Sequence, residues 1–244
     1  MRLESSFPAE LEKAKAEKWP LIVPVGTIEY HGPHCAFGCD TLIVNGLLER
    51  LEAERNVVIC PPVWYGVSGY AVGGPEKNTV SVDIDAFEAN IYGMLKSFLR
   101  GGWKNIYLVI HHQYENEIPL PMTLACMKAG KKLTMEYLEE SKGTGWWASN
   151  DNAAFYDELG DAENPWNWIT VLPAMSKYAQ HETGYDHAGE YECSILMALY
   201  PDAVDLSRIE TSNEWFIKSA KNASLELGNK MVDASMKSLR ERIR

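Results

Sequence analysis

Three short apolar runs, each closed by glycine, proline or histidine, alternate with helical patterns in the first half of the chain. The runs are WPLIVPVG at 19–26, NVVICPPV at 56–63 and NIYLVI at 105–110. The segments between them, TLIVNGLLERLEAER and AFEANIYGMLKSFLR, carry apolar residues at helical spacing, and Asp85 is the expected N-cap of the second. This alternation predicts βαβ units and an α/β fold with a mainly parallel central sheet flanked by helices.

The second half of the chain adds helices and one long polar stretch. Residues 143–170 hold four of the eight tryptophans, and a connection of that length predicts a lid, an insertion or a subunit contact. ECSILMALYP predicts a buried helix that ends at Pro201, and the segment from Glu214 to Arg244 predicts one long amphipathic helix. Because no repeat or linker interrupts the chain, we expect a single domain over residues 1–244.

Charge and composition narrow the function classes. The net charge of −11 argues against non-specific nucleic-acid binding, which needs a basic face. No apolar run reaches the roughly 18 residues that span a bilayer, and the charged N-terminus lacks the centre of a signal peptide, so we expect a cytoplasmic protein that does not bind membranes. The five cysteines need not pair, and CAFGC has no second cysteine pair to form a structural zinc site.

The loop after the first predicted strand, within VPVGTIEYHGPHCAFGCDTL, is crowded with potential metal ligands. Glu29, His31, His34 and Asp40 fall within twelve residues, among glycines that allow tight turns. A second histidine pair, His111–His112, directly follows the third predicted strand. Because ligands of parallel sheets bind outside the carboxyl ends of the strands, we expect the two loops to meet at one site.

All six histidines fall in three segments that also contain carboxylates; the third segment is HETGYDHAGEYE. Imidazole and carboxylate together suit zinc, manganese or iron(II). Asp40, after a tight loop, has two oxygens with which to bridge a metal pair. The competing classes are weaker, since neither a phosphate-binding glycine loop nor a G-x-S-x-G nucleophile elbow is present.

The motifs together resemble the creatininase (creatinine amidohydrolase) family. VGTIEYHGPHCAFGCDTL is similar to its first signature, QYEN to its second and DHAGEYECSILMALYPDAVDL to its third, so that the resemblance spans Leu21 to Leu206. It implies a three-layer α/β sandwich, two divalent metal ions (zinc or manganese, with iron as an alternative) and a homo-oligomer such as a hexamer. It also implies which residues form the site. The metal ligands would be Glu29, His31 and Asp40, together with a histidine and Glu115 from the second loop. Glu115 would also be catalytic, and Asp186 and His187 would be the pair that handles protons.

The sequence departs from the family pattern in the second signature. Gln113 stands directly before Tyr114, where the family has its metal-binding histidine. We assign His112 as the ligand, because an imidazole binds metal better than a neutral amide, and Gln113 as a substrate contact. His111 is then expected to pack at the strand end or to hydrogen-bond a ligand, and His34 either to orient a ligand, to bind substrate or to fix the loop.

A second departure concerns the substrate. Thr183 stands where creatininase has a tryptophan that stacks on its flat substrate. A pocket with Gln113, Thr183 and Tyr185 suits a cyclic polyol ketone, such as an inosose derivative, with a cyclic amide as the alternative. Glu190 is a candidate contact to metal or substrate, and Glu192 is expected to support the loop.

The expected reaction is hydrolytic opening of a small polar cyclic substrate by metal-bound hydroxide. His187, oriented by Asp186, would pass a proton to the leaving atom. The alternative is a non-catalytic metal-binding or scaffold protein that retains the fold.

Overall fold

The computed structural model describes residues 1–244 and contains four strands and seven α-helices. The strands are β1 (Leu21–Val25), β2 (Val58–Ile59), β3 (Ile106–Ile110) and β4 (Ile169–Pro173). The helices are α1 (Pro8–Ala16), α2 (Cys39–Glu54), α3 (Ile84–Arg100), α4 (Pro121–Lys142), α5 (Lys177–Thr183), α6 (Glu190–Leu199) and α7 (Leu225–Arg242).

The strands form one parallel sheet in the order β2-β1-β3-β4. The two central strands, β1 and β3, are buried along their whole length, which explains why they are continuously apolar rather than alternating. They pair in register from Leu21 opposite Ile106 to Val25 opposite Ile110. Their carboxyl ends therefore lie side by side at one edge of the sheet.

Helices cover both faces of the sheet and give the three layers that the sequence predicted. Helices α2, α6 and α7 contribute to the core on the face that contains Ile22 and Val109. Helices α1, α3 and α4 contribute to the core on the face that contains Val23 and Leu108. The burial of neighbouring strand residues on opposite faces follows from the two-residue period of a β-strand.

Three local predictions differ from the structure. Asp83, not Asp85, caps α3, because its carboxylate accepts the backbone N–H groups of Asp85 and Ala86. The C-terminal segment is not one helix: a 3₁₀ segment (Trp215–Asn222) precedes α7, and the Ser224 hydroxyl accepts the Leu227 N–H at 3.2 Å to start α7. Strand β4, which the sequence did not predict, begins at the end of the Trp-rich stretch. No helix is both long and apolar enough to cross a membrane.

Candidate metal centre

The loop between β1 and α2 delivers three buried polar side chains to the carboxyl edge of the sheet. Glu29 and His31 lie in the loop, and Asp40 is the second residue of α2. The loop turns back at Gly32, whose φ of +73° is a conformation that favours glycine. A negative charge in the first turn of α2 is also favoured by the helix dipole, which helps to keep the buried Asp40 ionised.

Two further elements complete the cluster. His111 and His112 follow the last residue of β3, so the sheet register carries them beside the β1 loop. Glu192 lies in the first turn of α6 and is buried. Residues far apart in sequence therefore meet at the edge where the β1 and β3 loops were predicted to converge.

Asp40 lies between two groups of potential ligands. Its Oδ1 is 3.6 Å from His112 Nδ1, which is itself 3.2 Å from Glu29 Oε2. Its Oδ2 is 3.7 Å from His31 Nε2, which is 3.4 Å from Glu192 Oε2. The two oxygens of one carboxylate thus face different groups, which is the geometry required of a ligand that bridges two ions.

These separations suit divalent metal ions. Ligand atoms bound about 2.0–2.2 Å from one ion lie roughly 3.0–3.6 Å from one another, close to the distances in both groups. His31 Nε2 and Asp40 Oδ2 are buried and have no hydrogen-bond partner. Since buried polar atoms without a partner are costly, the cluster fits a cation that would satisfy them.

The electrostatics of the cluster are set by burial and opposite charge. Burial lowers the pKa of His112, but the nearby carboxylates of Asp40 and Glu29 outweigh it and raise this pKa to about 10. Burial likewise opposes ionisation of Glu192, yet His31 and the hydrogen bond from His111 lower its pKa to about 2. Asp40 keeps a pKa well below its usual range, because His112 and His31 overcome its burial. Without metal, the cluster therefore pairs protonated imidazole with ionised carboxylates.

Metal binding should release protons at neutral pH. His112, with a pKa raised from 6.5 to about 10, holds a proton at pH 7 that it must lose to become a ligand. We expect about one proton released per chain and an affinity that rises with pH up to about pH 10, where His112 loses its proton without metal. Calorimetric titration with Zn²⁺ or Mn²⁺ in buffers of different ionisation enthalpy measures the release.

His181→Ala, at an exposed histidine outside the cluster, should not change the number of protons released, whereas His112→Ala should lower that number. Binding without proton exchange would contradict this charge assignment.

The predicted ligand Glu29 is held by a residue that sequence reasoning missed. The fully buried Ser68 donates its hydroxyl to Glu29 Oε1 at 3.0 Å, leaving Oε2 directed at His112. Ser68 lies in the sequence GVSGY, which lacks the G-x-S-x-G spacing of a nucleophile elbow. Its position in a loop distant in sequence gave no signal that it would reach the cluster.

Glu192 has a larger role in the cluster than the sequence suggested, and His111 makes a hydrogen bond of the kind that was one of its two predicted roles. The His111 imidazole Nε2 lies 3.0 Å from Glu192 Oε1, and Glu192 is close enough to His31 to share an ion with it. Glu192 shares the inward face of α6 with Ile195 and Leu196, one helical turn further on. This periodicity is a signal by which it could have been recognised.

The predicted ligand Glu115 does not join the cluster. It lies in a short 3₁₀ turn after β3, is exposed, and belongs to none of the groups whose ligand atoms lie close together. It lines the neighbouring cavity instead. The loop after β3 has left-handed backbone conformations, with φ of +50° at Gln113 and +53° at Asn116.

His187 lies beside the cluster, but its predicted partner does not orient it. Its Nε2–H donates to the Tyr30 carbonyl at 3.1 Å, and its ring centre is 4.3 Å from that of His31. The Asp186 carboxylate accepts the backbone N–H groups of Tyr191 and Glu192 and so caps α6. Burial raises the pKa of Asp186. The backbone of the β1 loop therefore positions His187, whereas Asp186 positions the helix that carries Glu192.

A cavity of about 290 Å³ opens onto the cluster. Gln113, Tyr185, Asp186 and His187, which the sequence predicts to contact substrate or move protons, line it, and no tryptophan does. The Tyr185 hydroxyl accepts a hydrogen bond from Asn116 Nδ2 at 3.0 Å, which fixes the ring at the edge of the cavity. This volume is near the lower limit for ligand pockets and suits a small molecule.

Three predicted substrate contacts lie outside the cavity. The Thr183 hydroxyl donates to the Ala179 carbonyl at 2.8 Å, within α5. Glu190 Oε2 accepts a hydrogen bond from Asn222 on the outer side of α6. His34 Nε2 donates to the Ala188 carbonyl at 2.9 Å, so it fixes the loop, which was one of the roles left open for it. All five cysteines are free and buried.

A buried set of imidazoles and carboxylates at the carboxyl edge of a parallel sheet is typical of α/β proteins that bind divalent metal ions. The family model for creatininase, described as creatinine amidohydrolase, matches residues 8–242. The chain therefore belongs to the creatininase family.

Individual relatives agree with this family. Creatinine amidohydrolase of Pseudomonas putida is 23% identical over 249 residues, which cover 92% of this chain and 88% of the relative. The 3-dehydro-scyllo-inosose hydrolase of Thermotoga maritima is 27% identical over 183 residues, covering 75% of this chain and 50% of the relative. Both relatives are hydrolases by name.

Solved structures of creatininase share the fold. A manganese form has a TM-score of 0.71 at 20% identity and covers 99% of this chain and 98% of the other. A creatininase variant of Zn-Zn type has a TM-score of 0.70 at 18% identity, with 99% and 98% coverage. At these identities the likeness establishes the architecture, which is the predicted creatininase-like sandwich.

Proposed function

We propose that this protein is a hydrolase that depends on two divalent metal ions, zinc or manganese, and opens a small polar cyclic substrate. The observation that carries the proposal is Asp40, whose two oxygens face two separate groups of buried ligands beside a small cavity. Glu29 and His112 would hold one ion, and His31 and Glu192 the other, with Asp40 shared. Bound divalent ions would supply a nucleophilic water at neutral pH and polarise a carbonyl.

The chain's own groups then have distinct tasks. Ser68 fixes the rotation of Glu29, and His111 fixes that of Glu192, through the hydrogen bonds described above. His187 uses Nε2–H to hold the Tyr30 carbonyl, so Nδ1 is the nitrogen left to take or give a proton. Gln113 and Tyr185 offer hydrogen bonds to substrate hydroxyl or carbonyl groups.

The cavity favours a cyclic polyol ketone, of the inosose type, as substrate. Its lining has amide, phenol, carboxylate and imidazole groups but no indole on which a flat amidine could stack. The similarity to an inosose hydrolase supports the same choice. A cyclic amide is the second candidate, because the creatinine amidohydrolase matches a larger share of the chain. The proposal extends to a cytoplasmic homo-oligomer, with a hexamer as the family suggests.

A substrate assay on metal-loaded protein tests the activity. Protein reconstituted with Zn²⁺ or Mn²⁺ should open 3-dehydro-scyllo-inosose faster than creatinine, as followed by loss of the cyclic substrate, and chelator should abolish the reaction. Creatinine as the better substrate would favour the cyclic amide instead. Full metal occupancy without turnover of either compound would favour the non-catalytic alternative and contradict the proposal.

His187→Ala should separate catalysis from metal binding. We expect metal content to be unchanged and turnover to fall by about 10²–10⁴-fold, the usual contribution of a positioned acid–base group. Tyr178→Ala, at an exposed residue of α5 that does not line the cavity, is the control and should retain activity. A turnover near that of the unsubstituted protein would remove His187 from the reaction. Loss of metal would instead make it a ligand.

A further inference from the structure

A second and larger cavity, of about 1000 Å³, lies at the opposite edge of the sheet from the metal cluster. Its walls include residues that immediately precede two strands, Trp103–Asn105 before β3 and Trp168 before β4. The Trp-rich stretch forms one side through Phe155 and Leu159. The sequence predicted a lid, an insertion or a subunit contact here, and none of the site residues described above reaches this cavity.

The cavity lining is richer in cationic side chains than the acidic chain as a whole. Although the chain carries a net charge of −11, the lining has six cationic side chains and two acidic ones. The cations are Lys15, Lys18, Lys104, Lys142, Arg242 and Arg244. Lys15, Lys18 and Arg242 are each paired with a carboxylate, of Glu12, Glu163 and Glu117 respectively. Lys104 and Lys142 have no carboxylate within ion-pair distance, and Lys142 donates to the side-chain oxygen of Asn152. Unpaired cations gathered in a concave site of an acidic protein attract anions.

The same cations lie on aromatic faces. Lys104 Nζ is 4.5 Å from the centre of the Trp168 ring, which packs edge-on against Tyr137 at 4.7 Å. Lys142 Nζ is 4.4 Å from the centre of the Phe155 ring. Cation–π contacts orient the ammonium groups while leaving their charge unneutralised. A second cation would be repelled, so the aromatic walls do not suit a quaternary ammonium ligand.

We propose that this cavity binds a small anion that carries a planar aromatic ring, of the size of a nucleoside monophosphate. The volume is at the upper end of the range for small-molecule pockets and admits a ring together with a sugar-sized linker. The ring would lie against Tyr137 or Phe155, which are more exposed than Trp168, and the anionic group would pair with Lys104 and Lys142. The site is independent of the hydrolytic centre, since it lies beyond the amino ends of the strands.

Calorimetric titration of the metal-loaded protein tests the site with defined probes. AMP, UMP and phenylphosphonate each combine a ring with an anion, whereas ribose 5-phosphate lacks the aromatic ring and adenosine lacks the anion. At least one of the first three should bind with a dissociation constant below about 1 mM. Ribose 5-phosphate and adenosine should bind at least about tenfold more weakly than AMP.

Substitution distinguishes this cavity from the metal centre, which also attracts phosphates. Lys104→Ala and Lys142→Ala should each weaken binding of the tightest probe by about tenfold or more. Lys13→Ala, at an exposed lysine of α1 outside the cavity, is the matched control. Circular dichroism checks that the variants fold.

Three outcomes overturn the proposal. The first is that none of the ring-bearing anions binds below about 1 mM. The second is that binding survives both lysine substitutions, which would place the probe at the metal centre. The third is that Lys104→Ala changes the oligomeric mass and leaves probe binding unaltered, which would make the cavity a subunit interface.

Discussion

Asp40→Asn should remove both metal binding and hydrolysis. The substitution replaces one of the two carboxylate oxygens by an amide nitrogen, which is not a metal ligand, and removes the negative charge that faces His31 and His112. We expect metal content, measured by elemental analysis, to fall from about two ions per chain to fewer than one. Turnover should fall by roughly 10³-fold or more, because both ions depend on this residue.

A nearby substitution controls for general effects on folding. Glu190→Gln changes a carboxylate at the start of α6 that hydrogen-bonds Asn222 on the outer side of the helix. It should retain the metal content and activity of the unsubstituted protein. Asp40→Asn with full metal content would exclude the bridging role. A loss of only one ion, with the second still bound, would show that Asp40 serves one site alone.

Glu192→Gln should likewise deplete metal, whereas Glu115→Gln should not. Glu192 is buried against His31 and His111, but Glu115 is exposed at the edge of the cavity. We expect Glu192→Gln to lose at least one ion per chain. Turnover should fall by about 10²–10³-fold, which is the usual loss when one group that supports a metal site or stabilises charge is removed. Elemental analysis and substrate assays of the two variants give a direct comparison.

The same pair of variants tests the assignment that the sequence motif suggests. If Glu115→Gln loses metal and Glu192→Gln keeps it, Glu115 is the ligand, as the resemblance of QYEN to the family signature implied. That result would require the loop after β3 to turn inward when metal binds. A Glu115→Gln variant that keeps its metal but turns over more slowly would instead assign Glu115 to substrate binding or proton transfer.

The fold was largely predictable because its strong signals are local. Buried parallel strands such as 21–25 and 106–110 are continuously apolar and bounded by turn residues, so they stand out in the sequence. Strand β4 was missed because its five residues follow a polar stretch without a distinctive boundary. The break before α7 was missed because Asn222, Ala223 and Ser224 interrupt an amphipathic pattern only briefly.

The candidate site was predictable where one loop holds several ligands. Glu29, His31 and Asp40 are close in sequence, and strand order alone brings His112 to them. Glu192 was undervalued because its helical periodicity indicates burial but not its contacts, which depend on how α6 packs against α2. Ser68 and the Tyr30 carbonyl were missed for the same reason, since each acts through a long-range hydrogen bond.

Asp40 and Glu192 lie in the first turns of two helices that pack against each other. An ion bound by both residues would therefore stabilise the packing of that helical layer. Helices α2 and α6 share a hydrophobic core with α7, and their amino ends both point at the cluster. An ion shared by these ends would tie the two helices together much as a disulfide ties two loops. By mass action, any ligand that binds only the folded state raises the melting temperature. Metal supply would therefore change the stability of the folded chain as well as its chemistry, and a chelator would lower the melting temperature.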